Sequence, residues 1–101
     1  METVWISCRI SYNETYETRH NALQSVVVGL DASAWDEPAS FYFVRTNRTP
    51  RDVCRMLARV IDTESDVVIV GATTIKGVFV AGQVDDEDGL KEKLPGVLRR
   101  E

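Results

Sequence analysis

Cysteine, histidine, proline and long apolar runs are all scarce in this chain. Its two cysteines, Cys8 and Cys54, stand far apart, and neither has the closely spaced partners of a zinc site. A disulfide framework and a zinc module are therefore not expected, and both thiols read as reduced, intracellular and structural. The single histidine, His20, has no second histidine and no evident serine or cysteine nucleophile to work with, which leaves a catalytic dyad without its parts. The longest apolar run falls far short of the ~20 residues a membrane span requires, and no leading stretch resembles a signal peptide. The expectation is a cytoplasmic protein with no membrane partner. A Walker loop and a dinucleotide fingerprint are also missing, and no cofactor is implied.

What is present is the composition of one ordinary folded domain: 101 residues, 44% apolar and 28% charged, with a formal net charge of -4. That length supports a modest core. A chain of net negative charge is a poor generic coater of nucleic acid, although a local basic patch remains compatible with it.

The apolar pattern changes period several times along the chain. Val4, Ile6, Cys8 and Ile10 alternate with Trp5, Ser7 and Arg9, as in a strand from Val4 to Ser11. Ser11 and Glu14 stand at capping-box spacing, with Asn13 as a rival cap, before a helix whose stripe is Tyr16, Leu23, Val26, Val27 and Leu30. Gly29 reads as its left-handed C-terminus. Ala34 and Trp35 suggest a short second strand, and Ser40 to Thr46 an aromatic third one. Thr49 and Pro50 open a second helix as N-cap and N1, with Val53, Leu57, Val60 and Ile61 facing inward. Asp66 to Ala72 reads as a fourth strand and Gly77 to Ala81 as a fifth. A short helix containing Leu90 and Leu94 follows, stopped by Pro95-Gly96 and trailed by a loose tail. The order β-α-β-β-α-β predicts an α+β two-layer sandwich over residues 1–84, with an acidic extension over 85–101.

The third and fourth strands are apolar on both faces. Phe41 and Phe43 alternate with Tyr42 and Val44, and Val67 and Ile69 with Val68 and Val70. Two helices cover one face of such a sheet, and an uncovered face normally selects polar residues. Two covers are open: a second copy packing on Trp5, Tyr42, Val44, Val68 and Val70 to make a homodimer, or the chain's own C-terminal segment folding back.

Arginines concentrate in one stretch. Residues 45–59 hold Arg45, Arg48, Arg51, Arg55 and Arg59 against the single acid Asp52. Spacings of three and four place Arg48, Arg51, Arg55 and Arg59 on one face along and just before the second helix, with Arg45 preceding them on the neighbouring strand. Planar guanidinium forks suit phosphates or an acidic partner. The alternative is a solvated face paired with Asp52, Asp62 or Glu64. Asp85-Asp86-Glu87-Asp88 lacks the ligand alternation and central glycine of a calcium loop and reads as a charged helix start.

These patterns together resemble the CRISPR-associated protein 2 family and its short SinR-like relatives. The first strand, the helix opening at Tyr16-Glu17-Thr18-Arg19, the segment from Ala34-Trp35 to Val44, the helix start Thr49-Pro50-Arg51-Asp52 and the strand Asp66 to Val70 carry the likeness. The resemblance implies a ferredoxin-like domain that dimerises through its sheet. It also implies, for members with nuclease activity, an aspartate at the end of the first strand that binds a metal in the dimer. Here that stretch reads Cys8-Arg9-Ile10-Ser11, and arginine repels a hard cation that needs oxygen ligands. The expectation is therefore a non-enzymatic dimeric scaffold with the arginine row as its contact surface. Two alternatives stand beside it: a metal-dependent nuclease using Glu14 or Asp66, and an RNA binder that stacks bases on Trp5 and Tyr42, as RNA-recognition motifs do.

Overall fold

The first strand, β1 (Glu2–Arg9), runs through the middle of a three-stranded antiparallel sheet. It pairs on one side with β2 (Phe41–Thr46) and on the other with β3 (Val67–Ala72), in the order β2-β1-β3. Trp35 makes a single antiparallel bridge to Phe43 on the outer side of β2. The computed structural model describes residues 1–73, 78–80, 85–96 and 98–100. It is a small α+β protein with α1 (Tyr16–Leu30), α2 (Pro50–Ala58) and α3 (Glu87–Lys93) around the sheet, and β4 (Val78–Val80) pairs in parallel with β5 (Leu98–Arg100). None of the described helices is long and apolar enough to cross a membrane.

Register decides which side chains meet. Val4 stands opposite Val44 and Ala72, and Ile6 opposite Tyr42 and Val70, so these residues share one face. On that face lie α1, with Leu23 and Val27 buried, and α2, with Val53 and Leu57 buried. Each such aliphatic side chain contributes roughly 1.5–3 kcal/mol of burial free energy. Val26, Leu30, Val60 and Ile61 complete the same layer from its margins.

Trp5, Phe41 and Phe43 point to the opposite face, which α3 partly covers. Leu90 and Leu94 are buried there against Trp35 and Phe43, with Trp5, Phe41 and Leu98 packed at the edge. The rings are close: Trp35 and Phe43 centroids lie 5.7 Å apart, and Phe41 meets Phe43 edge-on at 5.0 Å. Trp5 stands opposite Gly71, and a Cβ on that glycine would overlap the indole. Only glycine lets the large ring lie flat across β3.

Polar bonds lock α3 in place. Trp35 Nε1 donates to Asp86 O at 3.1 Å, and both Glu37 carboxylate oxygens receive the amides of Asp85 and Asp86, at 2.9 and 2.8 Å. These amides hold the Glu37 carboxyl below its ordinary range. Asp86 is the N-cap and accepts the Gly89 amide at 3.0 Å. At the other end Lys93 Nζ lies 2.7 Å from Asp31 Oδ2, with both side chains nearly buried. Burial would raise the Asp31 pKa, but Lys93, the Arg45 amide and Ser33 outweigh it and lower it.

Several local expectations change. The second strand shrinks to the Trp35 bridge, because Asp36, Glu37 and Pro38 turn the chain away at once. Ser11 and Glu14 form no capping box; Thr15 is the α1 N-cap, and Asn13 Oδ1 instead accepts the Thr15 amide at 3.0 Å. Gly29 stays helical, the helix runs to Leu30, and its end is closed by Asp31 in extended backbone. The tail is not loose at Leu98–Arg100, which pair as β5. The expected turn at 73–76 lies largely outside the described residues.

Candidate functional site

The arginine row is built by the second helix. Thr49 Oγ1 accepts the Asp52 amide at 3.1 Å, Pro50 supplies a fixed φ, and Val53 and Leu57 anchor the inner face. Arg51 and Arg55 then point to solvent one turn apart, with exposed Arg59 at the C-cap and exposed Arg48 just before the helix. Arg51 to Arg59 span about 12 Å along the helix axis. Among the described residues the ion pairs are Arg19–Asp66 and Lys93–Asp31, so none of the four pairs with Asp52, Asp62 or Glu64. Among the described residues these four exposed guanidinium groups have no ion-pair partner, which concentrates positive charge locally in a chain of net negative charge.

Arg45 does not join them. It alternates onto the α3-facing side of β2, where Nη1 donates to Glu92 O at 3.3 Å and Nη2 to Met1 O at 3.2 Å. Strand period, which the spacing of arginines alone does not reveal, sends it to the other side of the sheet.

The end of β1 holds a different arrangement. Asp66, immediately before β3, has a fully buried side chain and pairs with Arg19 of α1. Its Oδ1 accepts the Ser11 amide at 2.9 Å, and its Oδ2 accepts Arg19 Nη1 and the Asp62 amide, the latter at 2.9 Å. Arg19 Nη2 also donates to Ser11 O at 3.0 Å and Asn13 Oδ1 at 2.6 Å, while Nε reaches Thr15 Oγ1 at 3.0 Å. Burial pushes the Asp66 pKa up, but Arg19 and the two amides overcome it and hold the group below the carboxylate range. With both oxygens occupied, this carboxylate ties the loop after β1 to the loop before β3. Three of its roughly four lone-pair positions are taken by these donors. Glu14 is exposed and apart from this network. Among the described residues no group of three histidine, cysteine or acidic side chains is placed to hold a metal ion.

The signal for this clasp was an aspartate directly before an apolar strand. Its partner was indistinguishable in sequence from any helix-surface arginine.

The residues expected to face a second subunit are divided. Trp5 does lie on the face away from α1 and α2, against α3. Tyr42 and Val44 are buried on the helix side, with Val68 and Val70 packed beside them, because they share the register of Val4, Ile6 and Cys8. Tyr42 and Val44 are core residues, while Val68 and Val70 stay partly exposed at its margin. Tyr42 belongs to this core rather than to a sheet-face stacking platform. The cover on the aromatic face over β2 is the chain's own α3. Over β3 the outer face stays open, with Val67 39% and Ile69 53% exposed.

Cys8 is half-buried, and burial raises its thiol pKa. Cys54 is half-buried on α2. No family model matches the chain, and no curated protein matches it either.

Proposed function

We propose that this protein is a small non-enzymatic binding module that contacts the phosphates of duplex nucleic acid through Arg48, Arg51, Arg55 and Arg59. The single observation that carries this reading is the exposure of four arginines on and beside α2 with no acidic partner among the described residues. Structural arginines in this protein look different: Arg19 and Arg45 are each tied to several acceptors. An acidic polypeptide would meet the same charges, but the regular row suits the regular charge of a duplex backbone.

The scaffold reading is a ferredoxin-like sheet of the CRISPR-associated protein 2 kind. It is supported by the order β2-β1-β3, with Trp35 standing where an outer strand beside β2 would run. The dimer belongs to the same proposal, now centred on Val67 and Ile69. In the three-stranded sheet β3 is an edge, and an exposed apolar edge invites pairing. Light scattering reading the mass of one chain at micromolar concentration would remove the dimer.

The binding test is a titration of a short fluorescent duplex with the wild-type protein and with Arg51→Gln/Arg55→Gln/Arg59→Gln. Binding that is strongly weakened in the triple variant supports the row. Equal binding by both proteins would reduce it to a solvated helix face. Displacement of the duplex by equivalent amounts of polyglutamate would show a generic anion site.

A further inference from the structure

On the other side of Tyr42 from the sheet centre, α1 and the loop entering β2 enclose a cleft of about 260 Å³. Tyr16, His20 and Gln24, spaced by four along α1, form one wall; Asp36 and Ser40 line the other, and Tyr42 lies between. The cleft is below the roughly 300–1,000 Å³ of sites for drug-sized ligands, so it suits a single ring system with its substituents left outside.

Three features of this cleft are unused by the core or the arginine row. The first is a ladder of rings. Tyr12 lies 5.0 Å from Tyr16, and His20 stacks on Tyr16 at 5.4 Å with planes only 24° apart. Tyr12 is 90% exposed, so the ladder ends in solvent and does not close a core. The second is a set of polar groups on the cleft walls. The Gln24 amide reaches the Tyr42 hydroxyl only at 3.5 Å, a long bond that is readily exchanged for a better one. The Asp36 carboxylate is exposed and makes no ion pair among the described residues. The third is backbone strain. Ser40 has φ 61°, the one non-glycine residue in the left-handed region among those described. It is held there as its carbonyl accepts the Cys8 amide at 3.0 Å. Such conformations cost on the order of 1–3 kcal/mol and cluster where a ligand is gripped.

We propose that this cleft is a nucleobase site, in which a purine ring stacks on the Tyr16–His20 ladder and presents its edge to Asp36 and Gln24. Stacking on aromatic side chains accepts any base, so selection falls to the edge. A carboxylate accepts from two adjacent N–H groups, and guanine carries such a pair in its ring N–H and exocyclic amine. Guanine is the preferred ring, and its sugar and phosphate remain in solvent. This site is on α1 and the loop before β2, and it does not depend on α2 or on the duplex reading.

The test is an amide NMR titration of the whole protein with guanosine 5′-monophosphate, alongside ribose 5-phosphate and adenosine 5′-monophosphate. The expected result is saturable shifts at Gln24, Ser40 and Tyr42 with guanosine monophosphate, weaker ones with the adenine nucleotide and none with ribose 5-phosphate. His20→Ala should weaken binding about 5-fold or more, as loss of a stacking partner does. Asp36→Asn, at an exposed position, should fold normally and erase the preference for guanine over adenine. Equal shifts from ribose 5-phosphate, shifts confined to α2, or unchanged affinity in both variants would each overturn the site.

Discussion

Replacing Asp66 by alanine removes three bonds at once and leaves the Arg19 guanidinium without its carboxylate. The Ser11 and Asp62 amides lose the oxygens they donate to at 2.9 Å, and the Arg19 guanidinium loses its only carboxylate among the described residues. Breaking a buried ion pair from one side typically costs about 3–5 kcal/mol. Arg19 keeps 11% of its side chain exposed and retains the Ser11, Asn13 and Thr15 oxygens, so the loss should fall near the lower end, about 3 kcal/mol. For a domain of this size that is a fall in Tm of about 12–24 °C, read by far-UV circular dichroism at pH 7. The pH dependence supplies an independent check. Asp66 titrates lower in the folded protein than in the unfolded chain, so the folded state binds fewer protons as pH falls. Its stabilisation is full above about pH 4 and is lost as pH drops from there through the depressed folded pKa. The stability difference between wild type and Asp66→Ala should therefore shrink steadily below about pH 4, while Asp31 continues to give the variant some acid sensitivity. In a double-mutant cycle with Arg19→Ala the two losses should be strongly non-additive. A Tm within about 3 °C of wild type at pH 7 would refute the clasp, since even one lost bond of this kind moves it further.

Two further perturbations examine the face away from α1 and α2. Gly71→Ala sets a methyl group against the Trp5 indole and should cost about 1–3 kcal/mol, with a shift in tryptophan emission as the ring is displaced; unchanged stability would mean Trp5 does not lie across β3. Leu90→Ala leaves a cavity against Trp35 and Phe43 and should cost about 2–5 kcal/mol with red-shifted tryptophan emission, whereas a smaller loss and an unshifted spectrum would mean α3 does not cover that face.

The helices and main strands were legible because their signals are local. Thr49-Pro50 marks the start of α2, the stripe Val53, Leu57, Val60 and Ile61 faces inward, and Pro95-Gly96 follows α3 closely, with Gly96 at φ 77°. The side of the sheet on which each strand residue falls was not legible. In Phe41-Tyr42-Phe43-Val44 and Val67-Val68-Ile69-Val70 both alternating sets are apolar, so hydrophobicity gives no phase. Pairing to β1 supplies it, because Ile6 brings Tyr42 and Val70 to its own side. The same loss of phase put Arg45 in the arginine row and Tyr42 at an interface. The Arg19–Asp66 clasp was hidden for a different reason: its partners are 47 residues apart, and only the folded chain joins them.

The most direct measurement is the salt dependence of duplex binding. Four phosphate contacts predict a slope of log K against log salt of about -3.6, or roughly a 150-fold loss of affinity between 50 and 200 mM salt. With Arg51, Arg55 and Arg59 changed to glutamine, the slope should fall to about -0.9. A steep slope that survives the triple change, or no measurable duplex binding at 50 mM salt, would contradict the assignment of the arginine row as the contact surface.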